Sequence, residues 1–365
     1  MNILFVSTNP LDRDGISNVI LSMYKGLYKY KKYNLFLLFP SIKDSSLLKE
    51  IPNHEDSLIF LKIKKTNIVR YPIGLMKVLR LKKIDLVYFH ASSCLIAVEL
   101  LVAALARIKY RFVHSHSTST KFPFLNILLR PLFNTLYTNA FACGEEAGKW
   151  MFQGHPYIVI NNGIDLKKYV YTEELRKNTR DILNIGDEIV LGNVANFVRA
   201  KNHKFILDVF ANLPCRSSYK LLFVGSGPLM KESQVYVKEL GIENQVIFIG
   251  KVKDVVPYLC AMDLFVLPSL YEGFPLSLVE SQATGLMTIV SSNVTSSVNI
   301  TGSVHFLPIT QETVWVKEIE RLSISIKDRS SDNYKKLLKT AGYDLNDNIH
   351  ILVNEISKLE IINNN

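Results

Sequence analysis

The sequence predicts an α/β protein of two domains, each a parallel sheet with helices in its crossovers. Three observations point there. The chain has 365 residues, room for two domains at roughly 100–200 residues each. Short β-branched or aromatic runs alternate with longer amphipathic stretches, the pattern of right-handed βαβ units. That alternation begins again after Ile160-Asn161-Asn162-Gly163-Ile164-Asp165, whose Asn-Asn-Gly is turn chemistry. The expected boundaries are 1–163, 164–345, and 346–365 for a C-terminal helix and tail.

In the first half, Asn2–Ser7 reads as a buried strand, Ser17–Leu27 as a helix and Tyr33–Phe39 as the next strand. Asp85–His90 and Arg111–His116 repeat the strand pattern, with a helix over Ala97–Ala106 between them. Phe141–Cys143 and Tyr157–Ile160 are short strands. In the second half, strands are expected at Glu188–Asn193, Leu221–Val224, Val246–Ile249, Leu264–Leu267 and Met287–Val290. Helices are expected at Lys204–Leu213 and Leu276–Ala283. Asp347–Lys358 is amphipathic and could dock on either half, packing back on the first being one arrangement. Two Rossmann-like halves facing across a cleft would bind ligands at the carboxyl ends of their strands.

Composition narrows the class. Apolar residues make up 48% and charged residues 21%, which excludes a disordered chain, a collagen-like repeat and a coiled coil. Cys94, Cys143, Cys215 and Cys260 lie far apart without a C-x-x-C pair, so neither a disulfide framework nor a structural zinc site is expected. The N-terminus lacks a basic leader region, and no apolar run reaches the ~18 residues of a membrane span. A cytoplasmic protein is the expectation. Residues 1–165 hold 21 Lys/Arg against 11 Asp/Glu, and residues 166–365 hold 22 of each. The whole excess of +10 therefore lies in the first half, which favours an anionic partner. No base-stacking or groove-reading motif accompanies it, so nucleic acid is not expected. Lys121–Phe133 interleaves cations with apolar side chains. It reads either as a helix lying on the anionic inner face of the cell membrane or as a core helix with flanking charges.

The strongest chemical signal runs from Pro268 to Gly285, after an apolar strand and into a helix. Gly273 permits close backbone approach to a ligand. The Leu276 and Ser277 amides would stand at the helix N-terminus, where unpaired N–H groups and the dipole favour phosphate. Glu280, about one turn in, could accept from ribose hydroxyls, and Glu272 could reach a sugar. Two isolated glutamates would read as a loop residue and a solvated helix residue; the full run on these elements favours the ligand reading.

This run resembles the retaining glycosyltransferases of family 4, which have the GT-B fold and carry a Glu-x7-Glu motif. Asn162-Gly163-Ile164-Asp165 looks like their interdomain turn, and Val224-Gly225-Ser226-Gly227-Pro228 like their Gly-x-Gly-Pro turn. Ala195 to His203 resembles their Gly-Arg-x-x-x-x-Lys segment. The Lys201-Asn202-His203 and His114-Ser115-His116 runs are similar to those of bacterial exopolysaccharide and capsule members. The resemblance covers nearly the whole chain. It implies a UDP-sugar donor, a lipid-linked glycan acceptor in capsule, exopolysaccharide or O-antigen assembly, retention of configuration, and no metal cofactor.

By that resemblance Lys201 pairs with the donor diphosphate, while Glu272 and His114 contact the transferring sugar, with His116 as the alternative to His114. Gly15, Asn196, Gly225, Gly227, Gly273, Phe274, Leu276, Ser277 and Glu280 line the donor site, and Lys251-Val252-Lys253 falls where the family meets the nucleobase. Two departures stand out: Asn196 where the family usually has Arg, and Ala195 where it has Gly. Arg199 is a candidate substitute cation. Gly15 stands alone where the family often has two glycines. Asp12-Arg13-Asp14 has an Asp-x-Asp metal spacing but reads as a loop with Asp14 as helix cap. His114 and His116 could bind a metal, but no third ligand of suitable spacing is evident, so no metal site is expected. A nucleotide-sugar epimerase and a non-catalytic sugar-binding subunit are the rival readings.

Overall fold

A computed structural model describes residues 1–12, 14–61, 69–324, 329 and 332–364. Arg13, the middle of the Asp-x-Asp run, and Asn365, the end of the tail, lie outside the described residues. The chain forms two compact units, Met1–Gly163 with Asp344–Asn365, and Ile164–Tyr343.

The strands of the first unit are β1 (Asn2–Ser7), β2 (Asn34–Phe39), β3 (Leu58–Phe60), β4 (Leu86–Ala91), β5 (Tyr110–Ser115), β6 (Asn139–Ala142) and β7 (Ile158–Val159). They form one parallel sheet in the order β3-β2-β1-β4-β5-β6-β7. Helices on both faces bury the strands from two sides, so these strands are apolar throughout rather than alternating. Ile3 to Val6 of β1 and Leu86 to Phe89 of β4 are at most 1% exposed. The chain winds outward from β1 to β3 and returns beside β1 as β4. The loops after β1 and β4 therefore diverge, which is where such sheets bind ligands. The first of them leads into the helix Gly15–Tyr28, capped by Asp14, which accepts from the Ser17 amide at 2.8 Å.

The C-terminal helix, Leu345–Asn364, belongs to this first unit. Gly26 makes room for it, because a Cβ there would meet Ile349 Cδ1 at 2.0 Å. Asn348 donates to the Asn161 carbonyl at 2.8 Å, and Lys32 to Glu360 at 2.5 Å.

The second unit repeats the winding. Its strands are β8 (Ile189–Val194), β9 (Tyr219–Val224), β10 (Val246–Gly250), β11 (Leu264–Leu267), β12 (Met287–Ser291) and β13 (Val304–Leu307). All are parallel, in the order β10-β9-β8-β11-β12-β13. The switch point lies between β8 and β11. The sequence reading passed over β3 and β13, short edge strands whose side chains are mostly half-buried. Their runs, three and four residues long, are too short to mark a strand by pattern alone.

Candidate active site

Two loops meet at the switch point of the second unit. Residues 195–202, after β8, carry Asn196, Arg199 and Lys201; residues 268–275, after β11, carry Glu272, Gly273 and Phe274. The Leu270 amide donates to the Ala200 carbonyl at 2.8 Å and ties the loops together. Lys201 Nζ donates to Glu272 Oε2, in a pair whose side chains keep only 17% and 20% of their exposure. Ser269 Oγ reaches the same oxygen at 3.4 Å. Asn196 and Arg199 are exposed. His203, in the Lys-Asn-His run, is core: its ring stacks on Phe197 with centroids 3.9 Å apart, which anchors the turn bearing Lys201.

The helix Leu276–Ala283 follows Glu272 directly. Pro275 occupies its N-cap and no side chain caps it, so the Leu276 and Ser277 amides remain open at its positive end. Its other face buries Leu278, Val279 and Gln282. Gln282 accepts from the Ile300 and Thr301 amides at 3.0 and 3.1 Å, holding the helix to the loop beyond β12. Glu280 keeps part of its surface exposed, and its Oε1 accepts from the Tyr169 hydroxyl at 2.6 Å. Desolvation pushes the Glu280 carboxyl up to about 7 against the Tyr169 hydrogen bond and the Lys168 charge, which pull it down; Asp254 adds to the rise.

The glycines divide into two kinds. Gly225 has φ +143°, and a Cβ there would meet the Ala195 carbonyl oxygen at 2.0 Å. A Cβ at Gly227 would meet the Phe197 backbone at 2.6–2.9 Å. The loops after β8 and β9 lie against each other, joined by Ala195 N–H to Val224 O and Phe197 N–H to Ser226 O, each 3.0 Å. The sequence reading gave Gly225 and Gly227 to the donor; the protein's own backbone already accounts for both. Gly273 and Gly15 differ. Neither has a positive φ, and a Cβ on either meets nothing within 4 Å. Phe274 stacks on Tyr343, centroids 5.1 Å apart and planes 6° from parallel, so its ring is committed to packing.

In the first unit, the register pairs His90 of β4 with His114 of β5, and His116 follows just beyond the strand end. His114 has no exposed surface, and its Nδ1 lies 2.7 Å from the Tyr88 hydroxyl. His90 Nδ1 and His116 Nε2 are 2.8 Å apart. Burial holds all three imidazoles well below the usual histidine range, His116 at about 4, and the neighbouring imidazoles lower His90 and His114 further. The sequence reading found no third ligand beside His114 and His116; β4 supplies one, and ligand nitrogens of the three lie within 4.8 Å of one another. The rings nevertheless stack, their planes 19–26° from parallel. In-plane lone pairs then run side by side rather than converging as a tetrahedral ion requires.

The family described as "Glycosyl transferases group 1" matches residues 176–351. EpsF of Bacillus subtilis (strain 168), assigned by name to the glycosyltransferases, is 33% identical over 269 residues, 70% of each chain. The chain belongs to the group 1 glycosyl transferases. A second relative is the Escherichia coli UDP-Gal:alpha-D-GlcNAc-diphosphoundecaprenol alpha-1,3-galactosyltransferase, 29% identical over 242 residues, 60% of this chain and 61% of that one. Among solved structures, Anabaena HepE in complex with UDP superposes with a TM-score of 0.80 at 17% identity, covering 98% of this chain and 100% of that one. That likeness shows the fold, GT-B. The protein is thus a transferase, which sets aside the epimerase and non-catalytic readings.

In this glycosyltransferase the structure joins Lys201 to Glu272 and places Leu276, Ser277 and Glu280 on the helix that follows. The sequence reading missed Tyr169, Ser269 and Tyr88. Tyr169 lies 111 residues from Glu280, beyond any local motif. His90 left one readable signal: it ends a strand pattern, as His114 and His116 end the next one.

Proposed function

We propose that this enzyme moves a sugar from a UDP-sugar to a lipid-linked glycan in bacterial surface polysaccharide assembly, with retention at the anomeric carbon and at the cytoplasmic face of a membrane. The observation that carries the donor half is the Lys201–Glu272 pair beside an uncapped helix N-terminus, with Glu280 one turn further on. Lys201 and the Leu276 and Ser277 amides would hold the diphosphate, Glu280 the ribose and Glu272 the sugar. The open space around Gly273 suits a diphosphate lying against the backbone. HepE has been solved with UDP and with UDP-glucose, and the Escherichia coli relative is named for a UDP-galactose donor and an undecaprenol-linked acceptor; both support the reading.

In the step envisaged, the bond from the anomeric carbon to the diphosphate oxygen breaks and UDP leaves with both electrons. The acceptor hydroxyl oxygen bonds to the same face of that carbon, and its proton passes to the departing diphosphate. Fixed positive charge at Lys201 and the helix amides stabilises that departure, the role a divalent ion would otherwise fill. In the first unit we assign the sugar-facing place to His116 rather than His114, because His114 is wholly enclosed and engaged by Tyr88.

The test is a transfer assay with UDP-glucose, UDP-galactose and their N-acetyl forms on an undecaprenyl-diphosphate-linked N-acetylhexosamine, with and without EDTA. A new glycosidic bond of the donor's own anomeric configuration, formed equally in EDTA, is the expected result. An inverted product, loss of activity in EDTA, or transfer only from GDP-sugars would overturn the corresponding part.

A further inference from the structure

We propose that the first unit attaches to an anionic lipid bilayer through one helical face centred on Pro123–Leu136. Only Asn126 and Phe133 of this helix are buried. Phe124 is 76% exposed, Ile127 69% and Leu128 62%, with Phe122 at 55% just before the first turn. Positions 124, 127 and 128 fall on one side of a helix, so the apolar stripe faces outward, contrary to the core-helix alternative. The helix packs against Ala97–Leu105, which exposes Leu101 and Leu105 in turn. Scattered exposed apolar side chains are ordinary; a run of large ones on neighbouring helices marks an interaction surface.

Charge selects the occupant. Residues 69–138 hold ten Lys/Arg against two Asp/Glu. Of the acids, Glu99 is buried and Asp85 accepts from the Asn2 amide at 2.7 Å. Arg130 donates to the Met151 carbonyl at 2.6 Å and is turned to the protein. Lys121 is exposed just before the stripe, and Lys77 and Arg80 are exposed on the helix Arg70–Leu81, which packs on the other side of the intervening Ala97–Leu105 helix. Apolar side chains flanked by cations fit an interface of anionic headgroups over acyl chains. A second copy of the same face would bring like charges together. No helix among the described residues is long and apolar enough to cross a membrane, so the attachment lies in the interface plane.

The inference rests on the proposed function only in its motive, since a lipid-linked acceptor lies in such a surface; its test uses no turnover. The full chain is sedimented with phosphatidylcholine vesicles, with and without phosphatidylglycerol, at low and high salt. Binding to the anionic vesicles that exceeds the neutral ones roughly tenfold and weakens with salt is expected. The triple variant Phe124→Ser, Ile127→Ser, Leu128→Ser should lose about tenfold of it while melting like the wild type, and Lys77→Glu with Arg80→Glu should remove the anionic preference. Equal binding by the serine variant, or no vesicle binding by the wild type, would overturn the proposal. So would a wild-type dimer that the serine variant dissociates, which would make the face a contact between copies. Transfer to a detergent-dispersed acceptor in the absence of vesicle binding would sink the docking alone and leave the proposed chemistry standing.

Discussion

The two units share one winding and use their switch points in opposite ways. In the second, charges meet: Lys201 on Glu272, with Glu280 under the Tyr169 hydroxyl. In the first, the strand ends carry neutral groups: His90, His114 and His116 stack above Tyr88, and burial keeps all three imidazoles unprotonated at neutral pH. The topology therefore chooses where a ligand can sit, and the side chains choose which one. A charged site with a spare helix end suits a diphosphate; a neutral, aromatic one suits a sugar ring.

Four comparisons would break or sharpen that contrast. The largest effect is expected from Lys201→Ala, which should lower the transfer rate about 10²–10³-fold, as removal of one transition-state charge partner does. Tyr88→Phe, in the neutral stack, should lower it less than about tenfold, the scale of one lost hydrogen bond. Initial rates of UDP release measure both, and equal losses would erase the distinction between the units.

Next come the glycines. Gly225→Ala should destabilise the second unit by about 2–3 kcal/mol, since the new Cβ strikes backbone at a left-handed φ. Gly273→Ala should leave stability within about 0.5 kcal/mol yet weaken UDP binding, because its surroundings are empty of protein. Thermal melts beside UDP titrations separate them, and a destabilised Gly273→Ala protein would contradict the ligand-facing assignment.

Acid should act on the first unit. A histidine held below its ordinary pKa adds stability that is fully present above about 6.5 and is lost as pH falls toward the folded value, about 4 for His116. The slope is about 1.4 kcal/mol per pH unit for each proton taken up on unfolding. His90→Phe should flatten the fall in melting temperature between those limits, and an unchanged slope would mean that the stack does not carry it.

The smallest effect concerns Glu280, whose carboxyl sits at about 7. An ionised carboxylate accepts from ribose more strongly than a neutral carboxyl, so UDP affinity should rise with pH through that value. Tyr169→Phe removes a hydrogen bond that holds the carboxyl down. It should therefore move the midpoint upward and cost a few-fold in affinity near neutrality. Calorimetry across pH would show it, and a midpoint unmoved by the substitution would deny Tyr169 its positioning role.

The central strands were legible because parallel strands buried on both faces are continuous apolar runs. β1 has the expected bounds, and β11 also matches residue for residue. The run from Glu272 to Glu280 was legible because helix, glycine and carboxylates are contiguous. Partnerships made by long-range packing were not: the Tyr169–Glu280 hydrogen bond spans 111 residues, and the strand register brings His90 to His114. The exposure of Pro123–Leu136 was undecidable for a similar reason, since an apolar helix reads alike whether its wide face meets protein or solvent.

The central claim is that the second unit binds the donor's nucleotide through Glu280 and the open N-terminus of the helix that carries it. The direct measurement is calorimetric titration of the whole chain with UDP, beside GDP and ADP, in wild type and Glu280→Gln. The account requires UDP to bind best, and to bind several-fold more weakly in the variant once the pH exceeds the Glu280 pKa, because a neutral amide oxygen then replaces an ionised acceptor. Absence of nucleotide binding, or UDP affinity indifferent to Glu280→Gln, would contradict it.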